Sequence, residues 1–118
     1  MHTVLETSVF IRAAEQAGLS DAEREAVVEY LARNPMAGDE IPGTGGCRKL
    51  RFAGRGKGKS GGYRVITFYS GTYLPVVLID VFSKDERTDL SQAERNDLKR
   101  LTKVFVETYR GKAALLTR

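Results

Sequence analysis

The fold of this chain is decided by the stretch YRVITFYS (63–70), GT (71–72) and YLPVVLIDVF (73–82). Both longer segments are rich in β-branched and aromatic residues, which is typical of strands. The Gly-Thr pair suits a hairpin turn, and the very apolar second segment is predicted to be a central strand. Just upstream, RKLRFA (48–53) alternates basic and apolar residues, which predicts a half-buried strand with a basic outer face. Three consecutive strands of this kind predict an antiparallel meander.

The N-terminal third of the chain predicts a short strand and a helical hairpin. Residues 2–7 alternate weakly and suit a strand at the edge of the sheet. Ser8 is a candidate N-cap for a first helix that ends at Gly18. The sequence SDAE (20–23) is a capping box for a second helix, which Asn34-Pro35 ends.

The C-terminal third predicts one more helix. Residues 36–46 are rich in glycine and suit a loop, whereas SQAE (91–94) is another capping box. Gly111 is predicted to end the helix that follows. We therefore predict a single α+β domain over residues 1–118. It is a two-layer sandwich in which the hairpin and the C-terminal helix pack on a mainly antiparallel four-stranded sheet.

Positive charge is concentrated in one part of the chain. Between Glu40 and Asp80 there is no acidic residue, but seven of the 19 Lys and Arg residues lie there. They are Arg48, Lys49, Arg51, Arg55, Lys57, Lys59 and Arg64. Like charges within a Debye length of about 8–10 Å repel each other, so such a cluster favours a polyanionic partner such as a phosphate backbone. A solvated basic loop without a partner is the alternative.

Several other classes of site are disfavoured. Cys47 is the only cysteine and His2 the only histidine, which excludes an internal disulfide and a Cys/His zinc site. No apolar run approaches the roughly 18 residues of a membrane span and no signal pattern is present, so we predict a cytoplasmic protein without a membrane partner. GRGKGKS (54–60) resembles a nucleotide-binding phosphate loop only approximately, because the spacing differs and a strand follows it. We expect no metal and no cofactor.

If the basic segment binds RNA, cleavage would depend on lysine and arginine. A lysine crowded by other cations has a lowered pKa and can accept a proton from a ribose 2′-hydroxyl. Arginine matches the extra negative charge of a phosphorane-like transition state. The catalytic candidates are Lys57, Lys59, Arg64 and Lys84. Arg55 is a secondary candidate, and Glu86 is an alternative carboxylate base. The RNA-binding candidates are Arg48, Lys49, Arg51, Arg55 and Tyr63, of which Tyr63 either stacks on a base or only shields the strand.

With these motifs in place, the chain resembles the RelE superfamily of bacterial toxins, most closely its HigB-type branch. The resemblance runs from about Val4 to Tyr109. It rests on the motifs NP (34–35), GD-x-IPGTGG (38–46), RK (48–49), GKGK-x-GG-x-R (56–64) and the segment from Lys84 to Asp89-Leu90. The expected fold is therefore the RelE-like α+β sandwich.

The resemblance implies a toxin of a type II toxin–antitoxin system, neutralised by a cognate antitoxin of helix-turn-helix type. Relatives cut mRNA in the ribosomal A site without a metal: the 2′-hydroxyl attacks the adjacent phosphate. By position, Lys57 and Lys59 would hold the phosphate or act as base, Arg64 would stabilise the transition state, and Lys84 would replace the basic residue after the last strand. RelE has a tyrosine after that basic residue, whereas this chain has Asp85-Glu86-Arg87, so the leaving-group proton donor is unassigned.

Two other functions fit parts of the sequence. One is a gyrase poison like the related ParE toxins, although those lack the clustered active-site bases found here. The other is a nucleic-acid-binding module without catalysis.

Overall fold

The computed structural model describes the backbone of residues 1–53, 62–71, 74–84 and 89–116, with side chains as far as Tyr109. Within these ranges the chain forms five strands and three helices. In chain order they are β1 (Val4–Glu6), α1 (Ser8–Ala17), α2 (Asp21–Arg33), β2 (Asp39–Glu40), β3 (Cys47–Phe52), β4 (Tyr63–Phe68), β5 (Val76–Ser83) and α3 (Gln92–Leu116). The predicted α+β class is confirmed.

The strands form one mixed sheet in the order β1-β5-β4-β3-β2. The pairs from β5 to β2 are antiparallel, which confirms the meander, and β1 lies parallel to β5 at one edge. The strand β2 lies inside the segment predicted to be a loop, and it pairs with Arg48 and Lys49. Two residues are too few for an alternating pattern to be visible, so the sheet has five strands instead of the expected four.

Helices cover both faces of the sheet. The hairpin α1–α2 packs on one face, in a cluster that includes Phe10, Leu31, Leu50, Val65 and Val81. The helix α3 packs on the other face, in a cluster that includes Cys47, Ile66, Phe68, Phe82 and Leu98. Neighbouring residues of a strand point to opposite faces, and all six residues of β4 are buried. The layers are therefore three instead of the expected two.

Most helix ends follow their predicted signals. Ser20 Oγ accepts from the Glu23 backbone N–H at 3.1 Å, and Glu23 Oε1 accepts from the Ser20 N–H at 3.0 Å. Ser91 and Glu94 form the same reciprocal pair ahead of α3. Gly18 has a φ of 86°, the left-handed conformation expected at the end of α1.

Two helix ends differ from their predictions. The N-cap of α1 is Thr7, not Ser8, because the Thr7 hydroxyl accepts the Phe10 N–H at 3.1 Å. The helix α3 continues through Gly111 to Leu116. Glycine inside a helix costs only about 1 kcal/mol relative to alanine, and the alanines and leucines that follow are strong helix formers.

The GTGG segment (43–46) is anchored under α3. Thr44 is fully buried: its hydroxyl donates to Ile41 O at 2.7 Å, and its carbonyl accepts from Thr102 Oγ1 of α3 at 2.9 Å. A Cβ on Gly45, which has a φ of 77°, would lie 2.7 Å from Thr102 Oγ1. The motif that carries part of the resemblance therefore fixes β3 against α3.

Candidate nucleic-acid interface

Sheet register brings several of the predicted basic residues onto one face. Arg51 of β3 lies opposite Arg64 of β4, and Arg64 lies opposite Phe82 of β5. Side chains directly opposite each other in an antiparallel pair share a face, as do residues two apart along a strand. Lys49 therefore lies on the same face of the sheet as Arg51 and Arg64, and α3 packs on another part of this face.

Lys84 continues this arrangement beyond the end of β5. Its backbone N–H donates to Gly62 O at 3.1 Å, so the pairing of β4 with β5 extends one step past Ser83. Lys84 follows Phe82 by two residues and is the diagonal neighbour of Arg64 on the same face. Diagonal neighbours in a sheet are about 7–8 Å apart, a separation that long side chains can span.

A cleft opens over the basic end of this face. Its volume is about 550 Å³, and it is lined by Gly38, Asp39, Lys49, Leu50, Arg51 and Arg64. A second cavity of about 500 Å³ lies near Met1, His2 and Tyr109 but has no lysine or arginine in its lining. Of these two cavities, the cleft is the one whose charge suits a polyanion.

Arg64 is the most enclosed cation of the cleft. Only 6% of the residue is exposed, and one guanidinium nitrogen donates to Tyr63 O at 3.3 Å. Burial lowers the pKa of Arg64, and the Arg51 guanidinium lowers it further. Within the part of the chain that the structure describes, no carboxylate forms an ion pair with Arg64. Burying a positive charge is costly, so an anion bound in the cleft would stabilise Arg64.

An acidic residue joins the cleft to the start of α3. Asp89 Oδ1 lies 3.3 Å from Lys49 Nζ, and Asp89 Oδ2 lies 3.3 Å from a guanidinium nitrogen of Arg95. The pKa of Asp89 is lowered, chiefly by a hydrogen bond from the Leu90 N–H; burial opposes this, and Lys49 and Arg95 lower the pKa further. Asp89 is therefore an ionised bridge between β3 and α3 at neutral pH.

Two predicted RNA-binding residues lie elsewhere. Arg48 points away from Lys49 and donates to Gly38 O at 3.1 Å and to Glu40 Oε1 at 3.3 Å, so its side chain joins β3 to β2. Tyr63 is only 3% exposed and lies in the core beneath the helical hairpin, on the face opposite Arg64. This position favours the shielding role for Tyr63 over the stacking role.

The remaining predicted residues, Arg55, Lys57, Lys59 and Glu86, lie outside the described residues. Sequence reasoning named Asp89 only as part of a motif of the resemblance, without a role, and it did not name Arg95. Arg95 did carry a signal: it is a cation in the first turn of a helix, where the helix dipole disfavours positive charge. A cation at this position needs a nearby negative charge to offset the unfavourable interaction with the helix dipole, and the Asp89 carboxylate provides it.

Two further findings concern the described residues as a whole. None of their helices is long and apolar enough to cross a bilayer. No three His, Cys, Asp or Glu side chains among them form a group that could hold a metal ion.

Comparison with known families agrees with the motifs and with the fold. Residues 2–117 match the family model described as the RelE toxin of the RelE/RelB toxin–antitoxin system. The match covers both core clusters, the GTGG anchor and the whole basic segment, so it does not depend on a single motif. The chain therefore belongs to the RelE family of toxins from toxin–antitoxin systems.

Proposed function

We propose that this toxin is an endoribonuclease that cuts mRNA on the ribosome in the cytoplasm, and that its cognate antitoxin is of helix-turn-helix type. The observation that carries the proposal is the set of cations around one cleft. Arg64 forms its buried floor, Arg51 and Lys49 line it, and Lys84 is the diagonal neighbour of Arg64.

The proposed chemistry is an internal transfer. The ribose 2′-oxygen attacks the adjacent phosphorus while a base takes its proton, the bond from phosphorus to the 5′-oxygen breaks, and that oxygen takes up a proton. The products are a cyclic phosphate and a 5′-hydroxyl. Arg64 would bind the phosphate oxygens, where negative charge builds up in the transition state. Lys84 would add a second positive charge there.

The base is proposed among residues outside the described ranges. Lys57 and Lys59 are the first candidates, because lysines crowded by cations have lowered pKa values. Glu86 is the alternative. Arg64 is not a candidate for the base, since an arginine stays protonated at neutral pH even when its pKa is lowered.

The activity is tested with purified toxin, translating ribosomes and a defined mRNA. Cuts in phase with codons are expected, and they would persist in the presence of a metal chelator that leaves the ribosomes intact. Breaks in DNA that depend on gyrase would instead indicate a ParE-like toxin. Absence of both kinds of cut would indicate a binding module without catalysis.

The role of Arg64 is tested by Arg64→Ala. Loss of one transition-state donor typically costs about 10²–10³ in rate, so growth inhibition and cleavage should be lost. Arg33→Ala, which removes an exposed arginine paired with Glu29 on α2, is the matched control and should remain toxic. Far-UV circular dichroism and the unfolding temperature of Arg64→Ala should match those of the wild type. A folded Arg64→Ala variant that still inhibits growth at equal expression would contradict the assignment.

A further inference from the structure

We propose that Lys49 and Arg95 form a second phosphate-binding subsite beside the cleft, which the Asp89 carboxylate occupies in the free protein. The proposal deepens the proposed function and rests on it for the identity of the ligand, a phosphate of single-stranded RNA. It assigns a binding role to Arg95, a residue of α3, and a competing role to Asp89.

The first step of the argument is geometric. The two oxygens of Asp89 contact two different cations, Lys49 of β3 and Arg95 of α3, each at 3.3 Å. One anionic group thus already sits between two positive side chains that come from separate elements. A phosphate group also presents oxygens in two directions, so it fits the same position.

The second step concerns how firmly the carboxylate is held. Charge-assisted hydrogen bonds are normally about 2.7–2.9 Å long. Asp89 Oδ1 accepts the Leu90 N–H at 2.8 Å, but both contacts of Asp89 with the cations are longer, at 3.3 Å. All three side chains are also partly exposed to solvent, where ion pairs contribute little to stability. The carboxylate thus binds the two cations weakly, and another anion can replace it between them.

The third step is an unused donor. The Nε atom of Arg95 is buried and has no hydrogen-bond partner in the described part of the chain, although another nitrogen of the same guanidinium contacts Asp89. Arginine binds phosphate best through two parallel N–H groups. Arg95 therefore has a donor left over that Asp89 does not satisfy, and a phosphate oxygen that replaces the carboxylate would be able to accept from it.

The fourth step places the subsite relative to the chemistry. Lys49 lines the cleft together with Arg51 and Arg64, and it lies two residues from Arg51 on the same strand and face. Residues two apart on a strand are separated by about 7 Å. The subsite therefore adjoins the cleft and would bind a phosphate next to the one that reacts.

The test measures binding of a short, fluorescein-labelled 2′-O-methyl RNA, which cannot be cleaved because its 2′-oxygen is blocked. Fluorescence anisotropy gives the dissociation constant at several salt concentrations. For single strands the logarithm of the affinity falls with the logarithm of salt by about 0.7 per phosphate contacted. Arg95→Gln should therefore reduce this slope by about 0.7 relative to the wild type.

Asp89→Asn should have the opposite effect. It removes the competing charge but keeps an oxygen that can accept the Leu90 N–H, so the RNA should bind several-fold more tightly than to the wild type. In an Arg95→Gln background this gain should shrink, because one of the two cations released by the substitution is absent. The matched controls are Asp97→Asn and Arg100→Gln, which alter an exposed acid–arginine pair on the same helix and should move neither quantity beyond the change expected from net charge.

A second readout follows Arg95 directly. With ¹⁵N-labelled arginine, the Arg95 Nε–H signal should shift on addition of the RNA, whereas the Arg100 signal should not. Three results would each overturn the subsite: an unchanged salt slope in folded Arg95→Gln, an unmoved Arg95 signal, or weaker RNA binding by folded Asp89→Asn. If the wild type still bound and cleaved RNA, the proposed function would stand. A wild type that neither binds nor cuts RNA would overturn the proposed function and the subsite with it.

Discussion

Arg64 shows why arginine suits the floor of the cleft better than lysine. Burial and the neighbouring Arg51 both lower its pKa, yet arginine starts so high that it stays charged at neutral pH. A lysine in the same position would be pushed towards its neutral form. The buried guanidinium therefore provides a fixed positive charge; under the proposed function it suits charge stabilisation, and proton transfer would come from another residue.

Another residue-scale prediction concerns the hydroxyl of Thr102. It donates to the buried Thr44 carbonyl at 2.9 Å and so ties α3 to the GTGG segment. Thr102→Val keeps the shape but leaves that carbonyl without its donor, which should lower the free energy of unfolding by about 1–3 kcal/mol. Urea denaturation followed by circular dichroism measures this.

The exposed Thr108 on the same helix provides the control. Thr108→Val should change the free energy of unfolding by less than about 0.5 kcal/mol, as is usual for surface substitutions. Equal effects of the two substitutions would mean that the contact between Thr102 and Thr44 contributes nothing.

At the scale of elements, α3 has two roles. Its N-terminal part carries Arg95 and packs Leu98 against the sheet, next to the cleft. Its C-terminal part runs through Gly111 to Leu116, past the point where glycine was expected to end it. One helix thus joins the candidate site to the C-terminal end of the chain.

The extent of α3 predicts whether one substitution, Gly111→Ala, raises or lowers the stability of the protein. If Gly111 lies inside a helix, Gly111→Ala removes conformational freedom from the unfolded chain and should raise the free energy of unfolding by about 0.4–1 kcal/mol. If Gly111 instead ended the helix in the left-handed conformation, the same change would be destabilising. Thermal unfolding distinguishes the two cases, and a lower unfolding temperature would contradict the helix bounds.

At the scale of the whole molecule, the distribution of charge matters more than its total. The chain carries a formal net charge of +4, a modest value, yet the cleft gathers cations on one side of the sheet. Clustered charge adds up to a strong local field, which favours a polyanion on that side. The effect of a charge substitution on RNA binding should therefore depend on where the substituted residue lies in the fold.

Two charge reversals of equal size test this point. Arg51→Glu and Arg33→Glu change the net charge equally, but Arg51 lines the cleft whereas Arg33 is an exposed residue of the hairpin on the other side of the sheet. Arg51→Glu should weaken RNA binding by an order of magnitude or more at low salt, and Arg33→Glu should change it little. Similar losses in both variants would show that only net charge governs binding.

Much of the fold could be predicted from local patterns. The capping boxes at Ser20 and Ser91, the stop at Asn34-Pro35 and the three-strand meander each depend on a few neighbouring residues. The third layer was missed although its signal was present: the run VVLI (76–79) is apolar at consecutive positions, which is typical of a strand covered on both faces. The C-terminal end of α3 was predicted wrongly because a single glycine is a weak stop signal when strong helix formers surround it.

The candidate site could be predicted only in part. The charge cluster includes Lys49, Arg51 and Arg64, which line the cleft, and the antiparallel pairing of β4 with β5 makes Lys84 the diagonal neighbour of Arg64. That these residues act on RNA stays a prediction. The strand register determines which face of the sheet each side chain occupies. It separates Arg48 and Tyr63 from the cleft. The contact between Asp89 and Lys49 joins residues 40 positions apart, so no local pattern could reveal it. The roles of Lys57 and Lys59, and the HigB-type branch, stay predictions.

Coverage of both faces of the sheet leaves its described cations a small area in which to meet a nucleic acid. Lys49 and Arg51 lie two residues apart on β3 and Arg64 lies opposite Arg51 on β4, so they span roughly 7 Å along the strands and roughly 5 Å across them. An area of that size accommodates one phosphate and a neighbour, and by itself it does not align a long strand. Under the proposed function, the remaining alignment has to come from whatever presents the strand, and a messenger threaded through a decoding centre arrives already straightened and in frame.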